Sequence, residues 1–195
     1  WLGSPIGGAP NLDGTNKCIL VPDPQTDIFD GTPGFTVACW CWPRTLNSTI
    51  SPYLRGLVSK YGVLSGNWVL RFGNGTAGNY DKPNFLLFNQ GALSNSIVSA
   101  KSYSVGKLYF IVGTWDGAVM RLYVNGVEEA SGALTGTAVL AGGDGVSIGV
   151  DYYPQLGGAN DRDWDGFIDY VGIWKRALSK EKINQLYSDP FINLI

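Results

Sequence analysis

The chain has 195 residues, a formal net charge of −2 and a pI near 5.0. It has no basic stripe, so the composition gives no electrostatic footprint for a nucleic-acid partner. No apolar stretch approaches the roughly 18 residues of a membrane helix, so membrane insertion is not expected either. The length predicts one domain over residues 1–195, since β-sandwiches commonly reach this size as one unit.

Short apolar segments separated by turn residues follow one another along the chain. The strongest is FTVACWCW at 35–42, which is rich in β-branched and aromatic residues and is closed by Pro43. Asp116-Gly117 and Asn125-Gly126 are tight-hairpin signals on either side of another apolar run. The predicted strands cover residues 17–21, 35–42, 57–60, 68–72, 84–88, 108–115, 119–124, 127–130, 146–150 and 167–174.

One helix is predicted near the C-terminal end. Ser179 can cap it, while Ile183, Leu186 and Tyr187 fall on one face at helical spacing. The helix should end at Asp189, before a proline. Strands throughout with one short C-terminal helix predict an all-β, two-sheet antiparallel jelly-roll sandwich.

The strongest predicted strand has a simple two-residue alternation. Trp40 and Trp42 should lie on one face of it, and Cys39 and Cys41 on the other. We interpret both indoles, together with that of Trp115, as filling of the sandwich rather than as ligand platforms.

The three cysteines are best read as reduced, buried thiols. Cys39 and Cys41 are two residues apart in a strand and poorly placed to bond each other. A bridge from Cys18 to either of them would leave one thiol unpaired.

Catalysis is not expected from this composition. The chain contains no His, which removes the commonest general base. Its three glutamates are Glu128, Glu129 and Glu181. The first two are adjacent, so in a strand they point to opposite faces and cannot form the carboxylate pair of a glycoside hydrolase. The sequence therefore predicts no hydrolysis of β-glucans or other polysaccharides.

Four segments in order resemble a known family. They are LDGTN at 12–16, FTVACWCWP at 35–43, GTWDG to RLYVNG at 113–126, and DGFIDYV to ALS at 165–179. Together they are similar to the laminin-G-like branch of the concanavalin-A-type lectin and glucanase superfamily, with Lys17 where that family more often has Asp. The resemblance implies a two-sheet jelly roll and says less about the ligand.

The resemblance also implies one structural Ca²⁺ between the opening motif and the last strand. Carried over to this sequence, its ligands would be Asp13 and Asp169, with Asn16 and backbone carbonyls. Asp169 lies in an otherwise apolar strand, where an unpaired carboxylate is costly. The alternative is that hydrogen bonds satisfy Asp169 without a metal.

A second candidate metal site follows from spacing alone. Asp161, Asp163 and Asp165 precede a glycine in the D-x-D-x-D-G pattern of a calcium loop. The bidentate Glu of a helix-flanked loop is missing, because Gly172 stands at its twelfth position. Two alternatives remain: a less regular calcium site built from oxygen ligands, or a solvated acidic loop that binds no metal.

Candidate ligand-binding residues combine aromatic rings with amide or carboxylate groups. Such sites stack a ring on a sugar and fix the sugar's hydroxyls with polar side chains. The segment from Tyr152 and Tyr153 to Trp164 has this chemistry, and so does the run that begins at Asn79 and Tyr80.

These observations favour a non-catalytic recognition module. The leading prediction is a glycan-binding or adhesive domain of a larger secreted or surface assembly, with a glycan or a surface protein as partner. The alternative is a structural, decoration or fibre domain of a virus (phage) particle that binds other proteins, since jelly rolls serve both roles. The first residue is Trp1 rather than Met, which predicts a processed or excised product. The expected location is extracellular, on a cell surface or on a virion.

Overall fold

The computed structural model describes residues 8–15, 17–22, 32–46, 54–61, 66–88, 94–134, 145–151 and 162–189. Within them lie twelve strands and one helix. The strands are β1 (Asn11–Asp13), β2 (Ile19–Val21), β3 (Phe35–Pro43), β4 (Arg55–Tyr61), β5 (Gly66–Phe72), β6 (Pro83–Phe88), β7 (Ser94–Val98), β8 (Tyr109–Trp115), β9 (Val119–Val124), β10 (Val127–Ala133), β11 (Val146–Ile148) and β12 (Asp165–Trp174). The helix is α1 (Lys180–Ser188).

The strands form two six-stranded antiparallel sheets. Sheet A has the order β1-β12-β3-β8-β9-β10, and sheet B has the order β2-β11-β4-β5-β6-β7. This arrangement confirms the predicted two-sheet sandwich with one short helix. Two strands, β1 and β7, were not predicted. β7 reads SNSIV, and its Ser and Asn residues have low strand propensity.

The main core lies between the sheets. Along β3, Phe35, Val37, Cys39 and Cys41 face inward and are fully buried. On sheet A, Gly113 leaves room for the Phe85 ring of sheet B, since a Cβ there would stand 2.6 Å from a ring carbon. The two sheets therefore interdigitate across the core.

A second apolar cluster joins the outer face of sheet A to α1. The helix buries Ile183 and Leu186, and the sheet contributes Phe110 and Val112. The Ser179 side chain caps the helix by accepting a hydrogen bond from Lys182 N at 3.3 Å, as predicted. In the part of the chain that the structure describes, no helix has the length and apolarity to cross a membrane.

The tryptophans of β3 lie outside the sandwich. Their predicted alternation with Cys39 and Cys41 is confirmed, but the interpretation of Trp40 and Trp42 as sandwich filling is wrong. Trp40 stacks on Tyr187 of α1, with ring centroids 5.6 Å apart. Trp42 is half-buried on the same outer face. The interpretation of Trp115 is confirmed, since this residue is 7% exposed within the main core.

All three cysteines are free thiols, as predicted. Cys39 and Cys41 are buried, whereas Cys18 is only partly so. The pKa of the Cys41 thiol lies well above its ordinary value. Burial is the larger cause, and the hydrogen bond with Cys39 raises it further.

The two predicted hairpin turns are present. Asn125 and Gly126 have φ of 51° and 79°, which is the left-handed pair that a two-residue type I′ turn needs. At the other turn, Asp116 Oδ1 accepts hydrogen bonds from the backbone N–H groups of Ala118 and Val119. These turns fix the register of β8, β9 and β10.

Candidate functional site

A cleft opens at the end of the sandwich where β3 ends and β6 and β8 begin. Its volume is about 460 Å³, within the range of about 300–1,000 Å³ that is usual for ligand pockets. Its lining combines a cation, a carboxylate, an aromatic ring, hydroxyls and apolar groups. We call it the loop-end cleft, lined by Arg44, Thr45, Leu46, Asp81, Tyr103, Ser104 and Val105.

Arg44 forms a fixed wall of this cleft. Its backbone N–H extends the β3–β12 ladder by donating to Asp165 O at 2.9 Å. Its guanidinium is paired with the Asp165 carboxylate and donates to Asn11 Oδ1 at 2.6 Å and to Leu12 O at 3.3 Å. The same group lies 5.7 Å from the centroid of the Phe167 ring. Residues of two strands, β1 and β12, therefore hold this side chain in place.

Tyr103 supplies the aromatic ring. It packs edge-on against Tyr109, with ring centroids 5.1 Å apart. The Tyr109 hydroxyl in turn donates to Ser104 O at 2.9 Å and accepts from Ser104 N at 3.1 Å. This exchange fixes the segment that carries Tyr103 to the first residue of β8.

The pKa of Tyr103 is raised to about 12, first by burial and then by the nearby Glu129 carboxylate. The neutral phenol is therefore favoured in the folded protein. Its contribution to stability is complete below the ordinary pKa of about 10 and is lost as the pH rises through the raised value.

We expect the Tyr103 phenol to stay neutral at about pH 11 in the native protein. The near-ultraviolet absorbance of the wild type and of Tyr103→Phe is measured against pH, and the difference between the two curves gives the ionisation of Tyr103. Glu129→Gln should lower the pKa of Tyr103 but leave it raised, because burial is the larger cause. Titration of Tyr103 together with an exposed tyrosine would contradict this assignment.

Asp81 contributes an acceptor without a donor. Its Oδ1 is buried and accepts no hydrogen bond from the described residues. Its backbone carbonyl, in contrast, accepts from Tyr103 N at 2.9 Å. A buried oxygen without a donor costs free energy unless a water or a ligand supplies one. Asp81 is also one of the residues that line the cleft, so a polar, negatively charged side chain stands beside the Tyr103 ring.

The turn that carries Asp81 also contains two of the predicted ligand residues. Asn79 and Tyr80 are half-buried in it and do not line the cleft themselves. Asn79 N donates to Thr76 O, and Lys82 N donates to Asn79 O, both at 3.2 Å. Asn79 and Tyr80 thus lie beside the cleft, and their role in binding stays a prediction.

The other predicted aromatic residues have different outcomes. Tyr152 and Tyr153 lie outside the described residues. The prediction that Trp164 contributes to a ligand surface is wrong, because its indole is fully buried. It packs on Phe72 with ring centroids 5.7 Å apart, and its Nε1 donates to Phe167 O at 3.3 Å. The ring is therefore not accessible to a ligand.

The structure does not bring Asp13 and Asp169 together. Asp13 pairs with Asp165 across β1 and β12, and Asp169 is four residues further along β12. That offset is about 13 Å, whereas two oxygens on one calcium ion are at most about 5 Å apart. The predicted sharing of one ion by these two carboxylates is therefore wrong. Their predicted companion, Asn16, lies outside the described residues.

Each of these carboxylates has a local hydrogen-bond partner. Hydrogen bonds from Lys17 and then from Thr15 lower the pKa of Asp13 to about 2. Asp169 Oδ1 accepts from Tyr170 N at 2.8 Å, at a bulge where Tyr170 has a φ of 45°. This contact matches the alternative reading of Asp169 as a hydrogen-bonded structural residue.

The D-x-D-x-D-G loop is only partly described. Asp161 lies outside the described residues, Asp163 is 5% exposed, and Asp165 is paired with Arg44. Among the described ranges, no three His, Cys, Asp or Glu side chains are grouped so that they could hold a metal ion. Calcium at this loop stays a prediction.

The sequence analysis did not single out Arg44 or Tyr103, the cation and the aromatic ring of the cleft. Arg44 carries no local signal, because its importance depends on partners in β1 and β12. Tyr103 lies in a polar segment between two strands and resembles an ordinary loop residue. Asp81 belongs to the run flagged at Asn79 and Tyr80, so the turn was found but its buried oxygen was not.

Two antiparallel sheets, one short helix and a cleft among the loops at one end define a lectin-type jelly roll. The chain belongs to the Laminin_G_3 family of the concanavalin A-like lectin/glucanases superfamily, whose profile matches residues 13–184. This finding confirms the resemblance drawn from the sequence motifs.

Solved structures with the same fold include a protein from Bacteroides ovatus assigned to carbohydrate binding, at 17% identity and a TM-score of 0.68. The match covers 91% of this chain and 46% of that protein, so the chain spans about half of its length. Domain 4 of AbnA, an extracellular arabinanase from Geobacillus stearothermophilus in complex with arabinotriose, matches at 19% identity and a TM-score of 0.67, over 94% of this chain and 78% of that one.

A heptameric pentraxin from Limulus polyphemus matches at 17% identity and a TM-score of 0.58, over 80% of this chain and 70% of that one. At such identities the likeness shows the fold alone. No curated protein matches the chain.

Proposed function

We propose that this protein is a non-catalytic module that binds a glycan in the loop-end cleft, within a larger extracellular or surface assembly. The observation that carries the proposal is the lining of the cleft, which places the Asp81 carboxylate and the Arg44 guanidinium beside the Tyr103 ring. Glycan recognition combines an apolar ring face with hydroxyls that need fixed acceptors and donors. The cleft offers both.

The family and the fold support this proposal. Two proteins have the same fold. The Bacteroides ovatus protein is described as carbohydrate-binding, and the arabinanase domain as a complex with arabinotriose. Neither likeness identifies the sugar for this chain. Both are consistent with a glycan as the class of ligand.

The placement of the glutamates supports a non-catalytic role. Glu129 is paired with Lys101 at 2.8 Å and lies at the β10 bulge, between Glu128, which is opposite Tyr123 in the ladder, and Ala130. Glu181 lies in the first turn of α1. No two of these three carboxylates share a strand face with the spacing of a retaining glycosidase pair, which is about 5–5.5 Å.

Asp81→Ala should weaken glycan binding at least about tenfold, since a hydrogen bond to a charged group contributes about 1.5–3 kcal/mol. A glycan array identifies the ligand, and isothermal titration calorimetry measures both proteins against it. Asp116→Asn is the matched control, because it removes a carboxylate at the opposite end of β8 and keeps the turn's acceptor oxygen. Equal affinities for wild type and Asp81→Ala would remove the cleft from the proposal.

Calcium is a further part of the proposal, with the loop at Asp161, Asp163 and Asp165 as its remaining site. Calcium that binds only the folded form at 100 times its Kd adds about 2.7 kcal/mol of stability. The melting temperature in calcium chloride should therefore exceed that in EDTA. Asp161→Asn should abolish the difference, whereas Asp169→Asn should preserve it. Superimposable melting curves in calcium and EDTA would remove calcium from the proposal.

A structural role in a particle is the second candidate, and one feature favours it. The edge strand β2 exposes all three of its apolar residues, by 40–47% of their surface. Apolar side chains on a sheet edge suit contact with another protein. Stable assemblies in solution that bury well over about 1,000 Å² through β2 would favour this role over glycan recognition.

A further inference from the structure

Trp42 is an aromatic residue that the core does not use. It lies on the outer face of sheet A, where it is half-buried and contacts Phe167 with ring centroids 5.6 Å apart. Its indole N–H has no hydrogen-bond partner among the described residues. Its neighbour on the same face, Trp40, is covered by Tyr187 of the helix. The two indoles therefore differ in their availability.

Apolar groups extend from Trp42 across neighbouring strands. Phe167 is its register partner on β12 and packs against it, but is itself only 7% exposed, so the accessible apolar surface is that of Trp42 and Leu108. On the other side, Cys41 pairs with Tyr109, so Leu108 continues the row opposite Trp42 and is 39% exposed. We call Trp42, Phe167 and Leu108 the outer-face platform.

The platform is continuous with the loop-end cleft. Arg44 lines the cleft, and its guanidinium lies over the Phe167 ring. Because the ladder continues to Arg44, Trp42 and Arg44 project on one side of the strand, about 6–7 Å apart. Gly106 N also donates to Pro43 O at 2.8 Å, which brings the segment with the exposed Val105 beside this strand.

Polar groups flank the platform. Asn11 is exposed and lies opposite Phe167. The Asn11 Oδ1 accepts a hydrogen bond from Arg44, which leaves the side-chain amide N–H groups of Asn11 to donate to a ligand. Asp169 lies diagonally from Trp42 on the same face, and its Oδ1 accepts a hydrogen bond from Tyr170 N. A flat apolar ring between a donor and an acceptor is suited to a sugar ring with equatorial hydroxyls.

We infer that the site takes an extended glycan chain of at least two sugar units rather than a single terminal sugar. One unit occupies the loop-end cleft, and the next passes Arg44 and stacks on Trp42. This inference rests on the proposed function. The spacing between Trp42 and Arg44 is comparable to the length of one sugar unit.

The test uses the intact protein and linear oligosaccharide series of one to six units, namely arabino-, xylo-, manno-, cello-, laminari- and chito-oligosaccharides. In the series that binds, affinity should rise about threefold to tenfold from one unit to two or three, the gain that one aromatic stacking contact supplies. Trp42→Ala should lose this gain and keep the affinity for the single sugar. Trp42→Tyr should restore part of the gain, because a flat ring is returned.

Trp40→Phe is the matched control, since it changes a neighbouring indole that the helix covers. It should leave the dependence on chain length unchanged. Equal gains with length in wild type and Trp42→Ala would overturn the inference while leaving cleft binding intact. A dimer that Trp42→Ala converts to monomer in light scattering would also overturn it, by assigning the platform to contact between copies. Absence of binding in every series would overturn the proposed function itself and the inference with it.

Discussion

Trp164→Ala should lower the free energy of unfolding by about 3–5 kcal/mol, the usual range for removing a buried aromatic side chain. Trp164 is fully buried and packs on Phe72 from sheet B. Its indole N–H also donates to Phe167 O. The substitution therefore leaves a cavity between the sheets and removes a hydrogen bond near the start of β12.

The matched control is Trp42→Ala, which removes the same side chain from the outer face. Because Trp42 is half-buried, its loss should cost only about 1–2 kcal/mol. Urea denaturation followed by circular dichroism measures both variants. A Trp164→Ala variant as stable as Trp42→Ala would contradict the placement of Trp164 in the core.

The fold was largely predictable because strand signals are local. The run at 35–42 became β3, and the Asn125-Gly126 turn was correctly predicted. β7 was missed because its Ser and Asn residues resemble a loop. Among the described strands, it pairs with β6 at the edge of sheet B. A strand of this kind depends on its neighbour more than on its own composition.

The alternation along β3 was also predictable, but not which face would hold the tryptophans. A period of two separates Cys39 and Cys41 from Trp40 and Trp42 without saying which pair meets the second sheet. Large indoles suggest a core position, yet along β3 the small thiols of Cys39 and Cys41 face the interior of the sandwich. The helix α1 gives Trp40 an apolar partner outside the sheet. Where an indole lies depends on this long-range packing.

The cleft was harder to predict, because its residues come from three separate loops. Arg44, Asp81 and Tyr103 are far apart in sequence and meet only after both sheets have formed. Motif spacing finds sites whose ligands are close in sequence, such as the D-x-D-x-D-G loop. It does not find a buried oxygen that lacks a donor. The family resemblance also placed Asp13 and Asp169 together, although their register keeps them apart.

Asp151→Ala should also lower the free energy of unfolding by about 3–5 kcal/mol, the range for removing one partner of a buried ion pair. Asp151 is fully buried, and its two oxygens pair with Arg71 at 2.9 Å and with Arg162 at 3.4 Å. The alanine leaves two guanidinium groups without the carboxylate that they share. Lys17→Ala is the control, since the Lys17–Asp13 pair is exposed and water screens it, so its loss should change the free energy of unfolding little.

This ion pair also supports the cleft. Arg71 Nε donates to Gly73 O at 3.1 Å and to Asn84 Oδ1 at 2.9 Å, so it holds both ends of the turn that carries Asp81. Asp151→Ala should therefore weaken glycan binding as well as stability, whereas Trp164→Ala should act mainly on stability. Chemical denaturation and calorimetry on the two variants separate these effects. If Asp151→Ala lowers the free energy of unfolding by less than about 1 kcal/mol, the loss is smaller than a broken buried pair would cause. That result would contradict the role of Asp151 in holding Arg71, and with it the support of the turn that carries Asp81.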